Sequence, residues 1–347
     1  MKSKTDISQK SEKKKRRFDW RELFWNPWEN RLPVLIRIIY FGIIFIIIYL
    51  GLDLLLGGGL NLLGISPVDT TSVAYFVVNA SLRSFLPFAG IIIALWFASR
   101  FIDKRPMGEY GFHFSGKWWM DLGIGLIIGV ILLAVVFGLE LAFGWVSILQ
   151  TGYSSLTLVP FWLGLSMYFI FYVAVGFFEE SLVRGYLLRN IAEGLKNIHI
   201  SPRVAIGISL GISSIVFGFL HMGNPSVSAG AIKLLALAGV FLGLGYVLTG
   251  NLGLSIGIHI AWNFAEGIIF GFPVSGVMSE FAVFRISQTG PTLFTGGDFG
   301  PEGGLMGLLI IVLGMGLVFL YVKLIKRKIQ IDPAIATYLS IAENHPK

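Results

Sequence analysis

The sequence predicts an all-α, polytopic membrane protein with about eight transmembrane helices, on three observations. Apolar residues make up 55% of the 347 and charged residues only 14%, against roughly 25% charged in soluble domains. The mean hydropathy is +0.76, with 43 glycines and 29 phenylalanines. Stretches of about 20 apolar residues, the length that crosses roughly 30 Å of hydrocarbon, recur along the chain. Such a composition has too little polar surface to cover a water-soluble body, which excludes a cytosolic enzyme, a nucleic-acid binder and a disordered scaffold. The absence of cysteine excludes disulfides, thiol nucleophiles and thiolate metal sites.

Residues 1–33 hold ten of the 27 Lys and Arg against five acids, so this segment carries +5 of the net +7. Set against an apolar run, it reads as a juxtamembrane anchor on anionic lipid, with Trp20, Trp25 and Trp28 as interfacial aromatics. Residues 1–17 are expected to be disordered. The expected spans are 34–56, 73–99, 122–143, 160–183, 204–222, 231–249, 252–272 and 305–325. The first starts too late and runs too long for a cleaved signal peptide. The chain thus divides into a basic tail (1–33), N-terminal helices (34–159), a helical core rich in polar motifs (160–275), an outer loop with the last helix (276–325) and a polar tail (326–347).

With the N-terminus inside, the inner segments hold Arg100, Lys104, Arg105, Lys117, Arg189, Lys196, Arg203 and the group from Lys323 to Lys328. The outer segments 57–72, 144–159 and 223–230 hold no Lys or Arg, and 273–304 holds only Arg285. That bias satisfies the positive-inside rule and places both termini in the cytoplasm. The loop 273–304, with Gly-Gly at 296–297 and 303–304, is expected to be irregular, a lid or a connector. Glycine pairs at GxxxG spacing (Gly125/Gly129, Gly207/Gly211, Gly239/Gly243, Gly253/Gly257) are expected to let helices approach closely.

An ionisable residue at bilayer depth costs about 2.5–3.5 kcal/mol on insertion scales, so each one needs a reason. The fourth span ends Gly176-Phe177-Phe178-Glu179-Glu180-Ser181-Leu182-Val183-Arg184. Glu180 and Arg184 are spaced i,i+4, as in an intrahelical ion pair. Glu179 lies about 100° around the helix and keeps a free carboxylate. Anchoring of the helix end at the interface is the competing reading. His221 closes the fifth span, and His259 lies inside the seventh with Asn263 one turn on. Polar side chains in lipid seek one another, so Glu179, His221, His259 and Asn263 should converge. Carboxylate with imidazole makes a general base. Imidazole N–H with amide NH2 makes a pair of oxyanion donors. If the helices were straight and no longer than a span, Glu179 and His221 would differ in depth by roughly 25 Å. Their meeting therefore favours a fourth helix that continues through Tyr186 to Ile191.

EExxxR at 179–184, FxxxH at 217–221 and HxxxN at 259–263, in that order on three apolar helices, resemble the CPBP family of type II CAAX prenyl endopeptidases and bacteriocin-processing or immunity proteins. Trp262-Asn263-Phe264 and Gly271-Phe272-Pro273-Val274-Ser275-Gly276 look like its bacterial members. The resemblance covers about residues 160–275. It implies an eight-helix intramembrane endopeptidase in which Glu179 and His221 activate water and His259 and Asn263 stabilise the oxyanion. Glu180 and Arg184 would support the site. It further implies a metal-free, glutamate-dependent mechanism, a peptide or membrane-protein substrate, no nucleic acid, and a place in a prokaryotic plasma membrane. A prenylated tail would be a substrate only in a host that prenylates proteins.

Two alternatives stay open. Glu179, His221 and His259 also suit zinc, as three N/O ligands with an open position for water, although no HExxH is present. A proton- or cation-coupled transporter would also place ionisable groups inside the membrane, but no internal repeat or pair of broken helices accompanies them. The other intramembrane charges, Asp53, Arg83, Glu140, Lys233 and Glu266, read mainly as helix-end or packing partners, and Glu266, seven residues past His259 on nearly the same face, is the one that could do more.

Overall fold

The computed structural model describes residues 29–64, 82–197 and 200–338. The expected tail anchor with Trp20, Trp25 and Trp28, and the start of the span expected at 73–99, lie outside them. Helix α1 spans Val34–Leu62, α2 Ser84–Phe97 and α3 Gly116–Ala142. Helix α4 spans Phe161–Glu180 and runs on through a π-helical stretch, Ser181–Leu188, into α5, Arg189–Asn197. Helices α6 (Pro202–Leu220), α7 (Ala229–Thr249), α8 (Gly253–Phe264, followed by a π turn over Ala265–Ile269) and α9 (Leu305–Lys326) complete the bundle.

Seven helical stretches among the described residues are long and apolar enough to cross a membrane, with α4 and α5 counting as one, Phe161–Lys196. Together with the composition they make this a multi-pass membrane protein. The span expected at 252–272 is helical but short, ~25 Å from Gly253 to Ile269 at 1.5 Å per residue. Every residue from Gly253 to Asn263 is buried. This helix is enclosed by protein rather than lipid.

Small residues set that enclosure. A Cβ on Gly125 would lie 2.5 Å from the Leu254 carbonyl, and one on Gly257 would lie 2.2 Å from the Leu122 carbonyl. Only glycine lets α3 and α8 approach so closely. The same reading holds at Gly239, which abuts Ser214. It fails at Gly207 and Gly211, which have nothing within 4 Å.

The loops at one end are more regular than expected. Strands β1 (Val146–Ser154) and β2 (Phe281–Gln288) pair antiparallel, Val146 opposite Gln288 and Ser154 opposite Phe281, with an irregularity between Ile148 and Gln150. Buried Phe281 seats the ribbon on α4 beside Gly164, where a Cβ would meet its ring at 2.4 Å. The opposite end is closed by buried ion pairs. Glu193 accepts from Arg31 at 2.8 Å and from both terminal nitrogens of Arg105 at 2.6 and 2.5 Å. Asp103 accepts from Arg37 at 3.0 Å and from the Tyr110 hydroxyl at 2.7 Å. Arg105 and Arg189, counted above as loop charges, are therefore buried pairing partners. Residues 331–338 lie over this end, Tyr338 stacking beneath the Arg31 guanidinium at 3.5 Å.

Candidate active site

Residues 181–191 contain no helix breaker except Gly185, and Gly185 is where α4 must pass the Tyr110 carbonyl, 2.9 Å from an added Cβ. The helix therefore continues, and Glu179 sits ~27 Å from its Phe161 end at 1.5 Å per residue, near the middle of the combined element. Helix α6 begins at the opposite end and carries His221 as its C-terminal cap residue. The depth difference of straight, span-length helices disappears.

Arg184 is wholly buried. It donates to Glu180 Oε1 at 2.7 Å and to the Gly239 carbonyl of α7 at 2.9 Å, with its guanidinium 4.5 Å from the centre of the Phe217 ring. Glu180 is more than half of an ion pair. The same Oε1 lies 2.9 Å from His259 Nδ1, which ties α4 to α8 and fixes the imidazole. That contact directs the other ring nitrogen, Nε2, at Glu179 Oε2, 3.8 Å away. The separation is too long for a direct hydrogen bond and suits a bridging water. With a carboxylate oxygen facing each nitrogen, the ring can carry a proton on both.

His221 sits differently. Its Nδ1 is 2.8 Å from the Phe217 carbonyl, which makes Nδ1 the protonated nitrogen of the neutral ring and leaves Nε2 as an acceptor. No direct contact joins it to Glu179; the imidazole facing Glu179 is that of His259. Asn263, one turn beyond His259, is buried and has no hydrogen-bond partner among the described residues, so its amide is available to a ligand.

Glu179, His221, His259 and Asn263 border one cavity of about 580 Å³ inside the bundle. Its walls are mostly aromatic and aliphatic, among them Tyr172, Phe217, Phe241 and Trp262. A largely apolar cleft with a few convergent polar groups is the usual form of a small-ligand or reaction site. Glu180 and Arg184 lie behind the wall. Among the described residues no three His, Asp or Glu side chains cluster as metal ligands. With Nδ1 of each histidine held by a carbonyl or a carboxylate, the Nε2 atoms have the setting of a base and of a metal ligand alike.

Among the polar cavity residues that sequence reasoning missed are Ser275 and Glu302. Both come from the loop 273–304, and the Ser275 hydroxyl donates to Glu302 Oε1. Burial pushes the Glu302 carboxyl above the ordinary carboxylate range, against the opposing pull of Ser275 and of the His221 imidazole. Glu266 is wholly buried. Nothing local in the sequence marks Glu302, which lies between Pro301 and two glycines.

Comparison with known proteins adds a family. Residues 160–265 match the model described as type II CAAX prenyl endopeptidase Rce1-like, in keeping with the CPBP resemblance. The matched segment holds all three motifs. At family level it supports an intramembrane CAAX-type endopeptidase, a peptide hydrolase. No curated protein matches the chain.

Proposed function

We propose that the protein is an intramembrane endopeptidase that hydrolyses a peptide bond of a membrane-associated protein or peptide, with water as the nucleophile. One observation carries the reading: a carboxylate, two imidazoles and an amide from three helices border a single cavity within an apolar bundle. Glu179 takes a proton from water held between its carboxylate and the neighbouring imidazoles. The hydroxide adds to the carbonyl carbon, and the oxyanion accepts from the Asn263 amide and from protonated His259 Nε2. The proton held by Glu179 then passes to the leaving nitrogen as the C–N bond breaks. Glu180 holds His259 in position through Nδ1, and Arg184 holds Glu180. His221 Nε2, an acceptor in its neutral form, serves as the second base. No step passes through a metal.

In the orientation set by loop charge, both termini are cytoplasmic and the β ribbon lies outside, in a prokaryotic plasma membrane. The decisive experiment is cleavage of fluorogenic membrane-proximal peptides by purified protein in nanodiscs, wild type against Glu179→Ala, each with and without a zinc chelator. Activity that vanishes in the variant and survives chelation is expected. Loss on chelation would replace this mechanism with a zinc-dependent one. Proton-driven uptake that survives Asn263→Ala, without proteolysis, would replace it with a transporter.

A further inference from the structure

Apart from the two histidines, the charge around the cavity is acidic. Glu179 and Glu302 border it, and no lysine or arginine does so among the described residues. Arg184, the nearest guanidinium in the motif, is turned away into Glu180 and the Gly239 carbonyl. Glu302 is 6% exposed, and that remainder faces the cavity. Its position is built. Gly300, at φ 103°, packs against the Pro273 carbonyl at 2.0 Å from an added Cβ, and the Ser275 hydroxyl holds the carboxyl itself. The same Gly300 Cβ position lies 3.4 Å from Glu266 Oε1. Glu266 thus stands directly behind the Glu302 segment, fully buried, with donors from the Trp262 side chain and the Glu302 backbone beside its carboxyl.

Two adjacent carboxyls in an apolar surrounding do not both ionise unless a cation joins them. We infer that Glu302, backed by Glu266, determines specificity by holding the basic side chain of a substrate residue next to the cleaved bond. The inference rests on the cavity being the peptide site proposed above. The substrate class is then a peptide with a lysine or arginine beside the cleaved bond. Both glutamates lie beyond residue 265, outside the matched segment, so this selectivity belongs to the present chain and is not carried over from the family match.

The test measures binding and cleavage separately on the full-length protein. Matched fluorescent peptides carry lysine, arginine, norleucine or glutamate at one position flanking the scissile bond. Affinity is read by anisotropy and cleavage by mass spectrometry, for wild type, Glu302→Gln and Glu302→Lys. For wild type, lysine and arginine peptides should bind at least tenfold more tightly than norleucine at one position. Glu302→Gln, which keeps an acceptor for Ser275, should bring lysine and norleucine to within about twofold of each other. Glu302→Lys should favour glutamate. Equal wild-type affinity for lysine and norleucine at every position overturns the inference, whatever the variants do, and so does a lysine preference that persists in Glu302→Gln. Glu302-dependent binding of basic peptides with no cleavage would retain it while refuting the peptidase reading.

Discussion

Arg184→Ala isolates the support of the site from its chemistry. The guanidinium is wholly buried and makes two hydrogen bonds, at 2.7 Å to Glu180 and 2.9 Å to the Gly239 carbonyl, besides its contact with Phe217. Alanine leaves Glu180 buried without its cation, and Glu180 Oε2 already lacks a partner. Removing one member of a buried pair costs about 3–5 kcal/mol, chiefly through the stranded charge. For a chain of this size, a fall in melting temperature on the order of 10 °C follows. The assay is thermal unfolding in detergent, read by size exclusion, alongside the double variant Glu180→Ala/Arg184→Ala. The double variant removes the stranded charge, so it should be more stable than Arg184→Ala while staying inactive, since His259 has lost the carboxylate that orients it. A single variant within about 2 °C of wild type, or a double variant whose loss equals the sum of the two single losses, would refute the reasoning.

Asn263→Ala should lower kcat by roughly 10²–10³ with little change in KM, as for a single oxyanion donor; steady-state kinetics on a cleaved peptide checks it, and near-full activity would remove Asn263 from that role. Glu180→Gln should shift the pH–rate profile as well as lower kcat, because it changes what His259 Nδ1 faces; a profile superimposable on wild type would make Glu180 purely structural. Gly257→Ala should reduce folded yield and melting temperature, its Cβ falling 2.2 Å from the Leu122 carbonyl, whereas Gly207→Ala, with nothing within 4 Å, should be neutral or raise stability by up to about 1 kcal/mol; equal behaviour of the two would refute the α3–α8 contact.

Much of this architecture was legible because lipid imposes a simple rule, a run of apolar residues for every crossing. Helices α1, α3, α6, α7 and α9 follow the hydropathy closely. So did the extension of α4, which follows from requiring that Glu179 and His221 meet. Spacing along one helix gave Glu180 to Arg184, but it carries no information about a third partner on another helix. For that reason the Glu180–His259 contact, and with it the pairing of Glu179 with His259 rather than His221, emerged only in three dimensions. The β ribbon was hidden because β1 reads as a glycine-interrupted outer loop with no alternation. Arg105 and Arg189 read only as inner-segment charges, since burial of a loop depends on what folds over it, here residues 331–338.

Helix α8 also constrains biogenesis. It carries Ser255, His259, Asn263 and Glu266, is too short to cross unaided, and has no face left for lipid. It has little to gain by partitioning into hydrocarbon alone. It must be received into a cradle formed by α3, α4 and α7, which precede it in the chain and pack against it. His259 and Asn263 therefore reach Glu179 only once α8 has docked. A nascent or truncated chain holds a glutamate on one helix and a histidine on another with nothing between them, and whatever chemistry the cavity performs stays silent until insertion is complete.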